Sequence, residues 1–72
     1  MTVYIKLLEI IEENGWFGDL EDFRFECEEK DLVVEELNHE YAVVCDEEYE
    51  EEFIVYFGGT TRTITIDKIV EA

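Results

Sequence analysis

The side chains in this chain that could do chemistry are mostly carboxylates. Twenty-one of the 72 residues are Asp or Glu, against five Lys or Arg and a single His. The densest run is Asp46-Glu47-Glu48-Tyr49-Glu50-Glu51-Glu52, six carboxylates in seven residues. Such a run could bind a divalent cation, act as a general acid or base, or pair with the cationic side chains of a partner. A calcium hand needs oxygen ligands at alternate positions, glycine at the sixth and glutamate at the twelfth. Counting from Asp46, those places hold Glu51 and Phe57, so the pattern fails. Paired carboxylates of the glycosidase kind also need a cleft that buries a sugar ring, and a chain this short hardly provides one. The third chemistry fits best: a comb of carboxylates that meets Lys and Arg, with Tyr49 as an aromatic anchor of the kind interfaces favour. The plainer alternative is a solvated acidic loop.

The remaining reactive residues carry less. Cys27, His39 and Cys45 lack the close cysteine pairs of structural zinc sites. Both cysteines fall in apolar surroundings, where a free thiol behaves as a small hydrophobe. His39 lies at a turn beside Glu40, with no nucleophile in reach to activate. The chain has no serine at all. Gly58-Gly59 lacks the residues around it that make a phosphate-binding loop. The sequence therefore reads as a non-enzyme with no cofactor and no metal. A second candidate contact is Trp16 with Asp19, Glu21 and Asp22, an aromatic beside three acids. Trp16 and Phe17 read more readily as core or helix-packing residues than as a ligand platform.

These residues must be held by a small α+β domain. Thr2–Asn14 has apolar residues at three- and four-residue spacing, the mark of an amphipathic helix, and Asn14-Gly15 stops it. Trp16-Phe17-Gly18 forms an aromatic elbow. Phe23, Phe25 and Cys27 alternate with Arg24, Glu26 and Glu28, which predicts a half-buried strand. Glu29-Lys30-Asp31 is a turn. Leu32–Leu37 fits a strand by its Val-Val pair or a short helical stretch. Asn38-His39 marks another turn. Tyr41–Cys45 is a strand with Ala42 and Val44 on one face and Tyr41, Val43 and Cys45 on the other. Phe53–Phe57 and Thr60–Ile66 flank Gly58-Gly59 as a hairpin. A two-residue loop there sets Phe57 against Thr60, Tyr56 against Thr61, Val55 against Arg62, Ile54 against Thr63 and Phe53 against Ile64. Asp67–Ala72 extends the last strand or ends it in a turn. The expected architecture is one domain over 1–72: an N-terminal amphipathic helix packed on an antiparallel four- to five-stranded β-meander.

Composition sets the outer bounds. Hydrophobic residues make up 47% of the chain, enough to argue against simple disorder despite a net charge of −16. Residues 1–15 lack the pattern of a secretory leader, and no apolar run spans a bilayer. Cytoplasmic residence is the expectation. The length implies a radius of gyration of about 11 Å and a globule roughly 29 Å across. That length of duplex DNA carries about 17 charges. In size and charge the chain resembles phage-encoded DNA-mimic proteins: anti-restriction, anti-CRISPR and glycosylase inhibitors. The resemblance implies an inhibitor that fills the basic groove of a nucleic-acid-binding protein or nuclease, without touching nucleic acid itself. An immunity or antitoxin protein for a cationic nuclease, or a small acidic structural interaction domain, would use the same surface. An exposed strand edge could pair two copies, which dense Glu would oppose, so a monomer or weak homodimer is expected.

Overall fold

The structure is a computed structural model that describes residues 2–14, 17–48, 50–59 and 63–72. Helix α1 (Thr2–Asn14) buries Val3, Leu7 and Ile10, which recur on one face of the helix. A two-residue strand, β1 (Phe17–Gly18), leads to a second helix, α2 (Leu20–Glu29). Four further strands follow: β2 (Leu32–Leu37), β3 (Tyr41–Asp46), β4 (Glu52–Gly59) and β5 (Ile64–Glu71). The fold is α+β, with the N-terminal helix on an antiparallel sheet, as the sequence implies. The sheet order is β1-β5-β4-β3-β2, and every neighbouring pair is antiparallel.

Helix α1 packs over β3 and β4, and α2 over β2. Both contribute to one core with Ala42, Val44, Phe53 and Val55 of the central strands. The edges of that core are aromatic. Phe23 meets Phe57 edge-on at 5.1 Å between ring centroids, and Tyr4 lies 5.8 Å from Phe53. Burying side chains of this size contributes roughly 1.5–3 kcal/mol each. Among the described residues, the opposite face of the sheet carries no helix.

Residues 23–27 are helical, not a strand. The cause is local. Asp19 caps α2: its Oδ1 accepts the Asp22 N–H at 2.8 Å, and Asp22 Oδ2 accepts the Asp19 N–H at 3.3 Å. This reciprocal capping box satisfies two donors that the first helical turn leaves unpaired. The apolar positions also have a helical reading, since Phe23 and Cys27 lie four apart on one side. Both are fully buried, whereas Phe25, between them in sequence, is 59% exposed. Asp31 ends the turn after α2 at φ 60°, a left-handed conformation that Asp tolerates better than most residues.

The β4–β5 hairpin exists, but its register differs from a two-residue loop. Gly58 and Gly59 are the last residues of β4, paired with Thr65 and Ile64. Phe57 faces Ile66, Tyr56 faces Lys68, Val55 faces Ile69, Ile54 faces Val70 and Phe53 faces Glu71. The expected partners Thr60, Thr61 and Arg62 lie outside the described residues. A bulge at Asp67 shifts the pairing beyond Phe57. Gly59 is required where it stands: at φ 96° a side-chain Cβ would lie 2.4 Å from the Thr63 carbonyl oxygen. Strand β5 extends to Glu71, so the chain ends in sheet. Beyond Thr65 its outer edge is unpaired by β1.

Candidate functional site

The acidic run forms the β3–β4 connection, closed by the Cys45–Glu52 pair. Its carboxylates have two different occupations. Asp46 ends β3, and its Oδ1 accepts the Glu50 N–H at 2.8 Å, which fixes the loop. Glu51 reaches across to α1, where its Oε1 accepts the Val3 N–H at 3.3 Å. No acid lies in the first turn of α1 itself. Glu51 therefore supplies the negative charge that the positive end of this helix favours. Glu47, Glu48, Glu50 and Glu52 are exposed. With Asp31, Asp46 and Lys6, three of them (Glu47, Glu48 and Glu50) surround one shallow depression. Glu50, Glu51 and Glu52 also border a second, beside Phe53, Glu71 and Ala72. Tyr49, the expected anchor, lies outside the described residues.

The second candidate group stands at the other end of the molecule. Leu32, just beyond α2, pairs with Asp46, so α2 finishes near the acidic loop. Ten helical residues, about 15 Å, carry the chain back from there to Asp19. Leu20 and Glu21 lie beside Leu37, at the far end of β2. Asp19 and Asp22 are occupied by the capping box. Glu21 is exposed on the helix, and Trp16 lies outside the described residues. The two groups are thus not one patch. What joins them is α2 itself, with Glu21, Asp22, Glu28 and Glu29 exposed, Glu26 half-buried and Arg24 its one base. Glu28 and Glu29 sit in a last turn that holds no basic residue, at the negative end of the helix dipole. Local helix stability does not favour them there. Reading residues 23–27 as a strand concealed this ridge. The Asp19–Asp22 spacing was the signal that could have revealed it.

The helix-free face of the sheet carries Cys45 and, with it, Glu35, Glu36 and Lys68, which the sequence did not single out. Cys45 has no exposed surface although it lies on this face. Its thiol is pushed up to about 11 by burial, by a hydrogen bond to Glu35 and by the neighbouring charges of Glu35, Glu52 and Asp46. Glu35 stands at a bulge in β2 and also hydrogen-bonds Glu52, which holds the Glu52 carboxyl above the ordinary carboxylate range. The Tyr41 hydroxyl donates to Glu36 Oε1 at 2.8 Å, and that bond raises its pKa. Lys68 lies 5.1 Å from the centre of the Tyr56 ring. On the other side of the sheet, burial and then the charges of Glu26 and Glu28 push the Cys27 thiol up to about 12. Both cysteines are free, buried and protonated at neutral pH, so neither is a ready nucleophile.

Among the described residues, no three His, Cys, Asp or Glu side chains are grouped to hold a metal ion. No helix among them is long and apolar enough to cross a membrane. His39 is exposed in the turn between β2 and β3, where Asn38 Oδ1 accepts the Glu40 and Tyr41 N–H groups. No protein-family model, curated protein or solved structure matches the chain.

Proposed function

We propose that this chain is an acidic inhibitor that occupies the basic groove of a nucleic-acid-binding protein or nuclease in place of the nucleic acid. One observation carries the reading: exposed carboxylates run along α2 from Glu21 to Glu28 and Glu29, and that helix ends near the β3–β4 loop, where Glu47, Glu48 and Glu50 stand exposed. The domain measures 32 × 21 × 18 Å. A duplex 32 Å long bears ~19 charges, against −16 for the whole chain. Fixed charges of this kind steer encounter and then pair with Arg and Lys on the partner. Asp19, Asp22, Asp46 and Glu51 support this surface through backbone hydrogen bonds. The chain performs no chemical step, acts on a protein and binds no nucleic acid directly. It works in the cytoplasm, that of the host if it is phage-encoded. Lys68 and the bulge at Asp67 guard the free edge of β5 against pairing with a second copy, so the working unit is the monomer or a weak dimer.

The test is capture from a bacterial lysate at low salt, followed by competition with DNA and RNA on the retained proteins. The expected result is a nucleic-acid enzyme or binding protein that nucleic acid displaces, with affinity falling steeply as salt rises. Salt-insensitive binding that leaves nucleic acid in place would overturn the reading.

A further inference from the structure

Phe25 is the most exposed of the large apolar side chains described, at 59%. It lines a groove of about 500 Å³ between α2 and the end of β2. Leu20 and Leu37 give this groove an apolar wall, and Glu21, Arg24 and Glu28 give it a charged rim. Glu21 and Glu28 bracket Phe25 on one side of the helix, about 10 Å apart along its axis. Arg24 makes no ion pair with either carboxylate among the described residues.

We infer that this groove receives an arginine side chain of the basic partner, its guanidinium stacked on Phe25 and paired with Glu21 or Glu28. The inference rests on the proposed function and names the contact within it. Arginine matches both halves of the groove. Its methylenes can cover Leu20 and Leu37 while its planar head lies against an aromatic ring and bonds a carboxylate. An aliphatic or aromatic knob would strip water from Glu21 and Glu28 and return no hydrogen bond. A phosphate would meet a strongly anionic surface, and so would a second copy of the chain. Lysine brings the charge but not the flat, weakly hydrated head.

Hexa-arginine and hexa-lysine peptides, titrated at low salt and followed by calorimetry and backbone amide shifts, test this directly. Hexa-arginine should bind about two- to fivefold more tightly, the range expected of an exposed cation–π contact. It should shift the amides of Leu20, Phe25 and Leu37. Phe25→Ala should abolish that preference, weakening hexa-arginine binding more than hexa-lysine binding. Phe25→Leu, which keeps apolar bulk, should abolish it too. Arg24→Gln should tighten hexa-arginine binding, because it removes a like charge from the rim. A preference that survives Phe25→Ala, or shifts confined to the loop around Glu47, Glu48 and Glu50, would overturn the inference. Arginine selectivity at Phe25 without capture of any nucleic-acid-binding protein would sink the proposed function and leave the groove assignment standing. Capture without that selectivity would do the reverse.

Discussion

Carboxylates that look alike in the sequence do unlike work. Glu51 bonds the first turn of α1, while Glu48, three residues away, is exposed. Glu51→Ala should therefore destabilise the fold by about 0.5–1 kcal/mol, the scale of a lost helix-end interaction. Glu48→Gln should leave stability unchanged or raise it, since it removes one of many repelling charges. Urea denaturation of the two variants checks the contrast, and equal effects would mean that Glu51 is just another surface acid. Glu52 makes a different prediction. Its hydrogen bond with Glu35 needs a proton, and its pKa in the folded chain is raised. A raised pKa means that the folded state holds this proton more tightly than the unfolded one. The stabilisation is complete below the ordinary value of 4.5 and is lost as pH rises through the raised one. Glu52→Gln keeps a hydrogen-bond donor at every pH. Its stability should match that of the parent in acid and exceed it at neutral pH, read from denaturant midpoints at both. A constant difference across pH would rule out the shared proton.

At the scale of the element, α2 shows what the sequence could and could not reveal. Helix α1 was legible because its apolar residues recur at helical spacing over three turns. Strand β3 was legible because a short apolar run with a Val-Val pair lies between turn residues and acids. The segment around Phe23 satisfied two periods at once: Phe23, Phe25 and Cys27 fit a strand, and Phe23 and Cys27 fit a helix. Only the cap at Asp19 decided between them, and its Asp22 partner is shorter than the usual Glu or Gln of such a box. The β4–β5 register was illegible for another reason. The Gly-Gly pair marked the hairpin correctly, but Gly59 serves the strand end rather than the turn, and the bulge at Asp67 has no signature in sequence. The candidate site inherited these limits. The acidic loop was visible as a run, whereas the ridge on α2 existed only once residues 20–29 were helical. A pair of substitutions separates the two conformations. Phe23→Ala should cost about 3–5 kcal/mol, and Phe25→Ala no more than about 0.5 kcal/mol. On a strand the two side chains would share a face and both would be costly. Comparable losses in thermal or urea melts would refute the helix.

Across the whole molecule, charge is a load on stability as well as the proposed means of recognition. The long axis is 32 Å, whereas electrostatic interactions between exposed groups are screened beyond about 8 Å at physiological salt. Glu21 and the β3–β4 loop, at opposite ends of α2, therefore hardly sense each other there, while neighbouring carboxylates repel strongly. Two neutralised variants follow from this. One changes Glu47, Glu48 and Glu50 to Gln; the other changes Glu21, Glu28 and Glu29. Each should melt higher than the parent in low salt. The α2 variant also gains because Glu28 and Glu29 oppose the helix dipole. At 1 M salt, where the screening length is about 3 Å, most of the gain should vanish. Combining the sets should raise the melting temperature in low salt further than either set alone. Binding should move in the opposite direction. Each neutralised set should weaken capture of a basic partner and flatten its dependence on salt, since fewer charges meet the groove. A surface that is acidic for solubility alone predicts the stability gains without any loss of binding. A contact surface must lose affinity as it gains stability, and that opposed pair of changes, measured on the same variants, decides between the two.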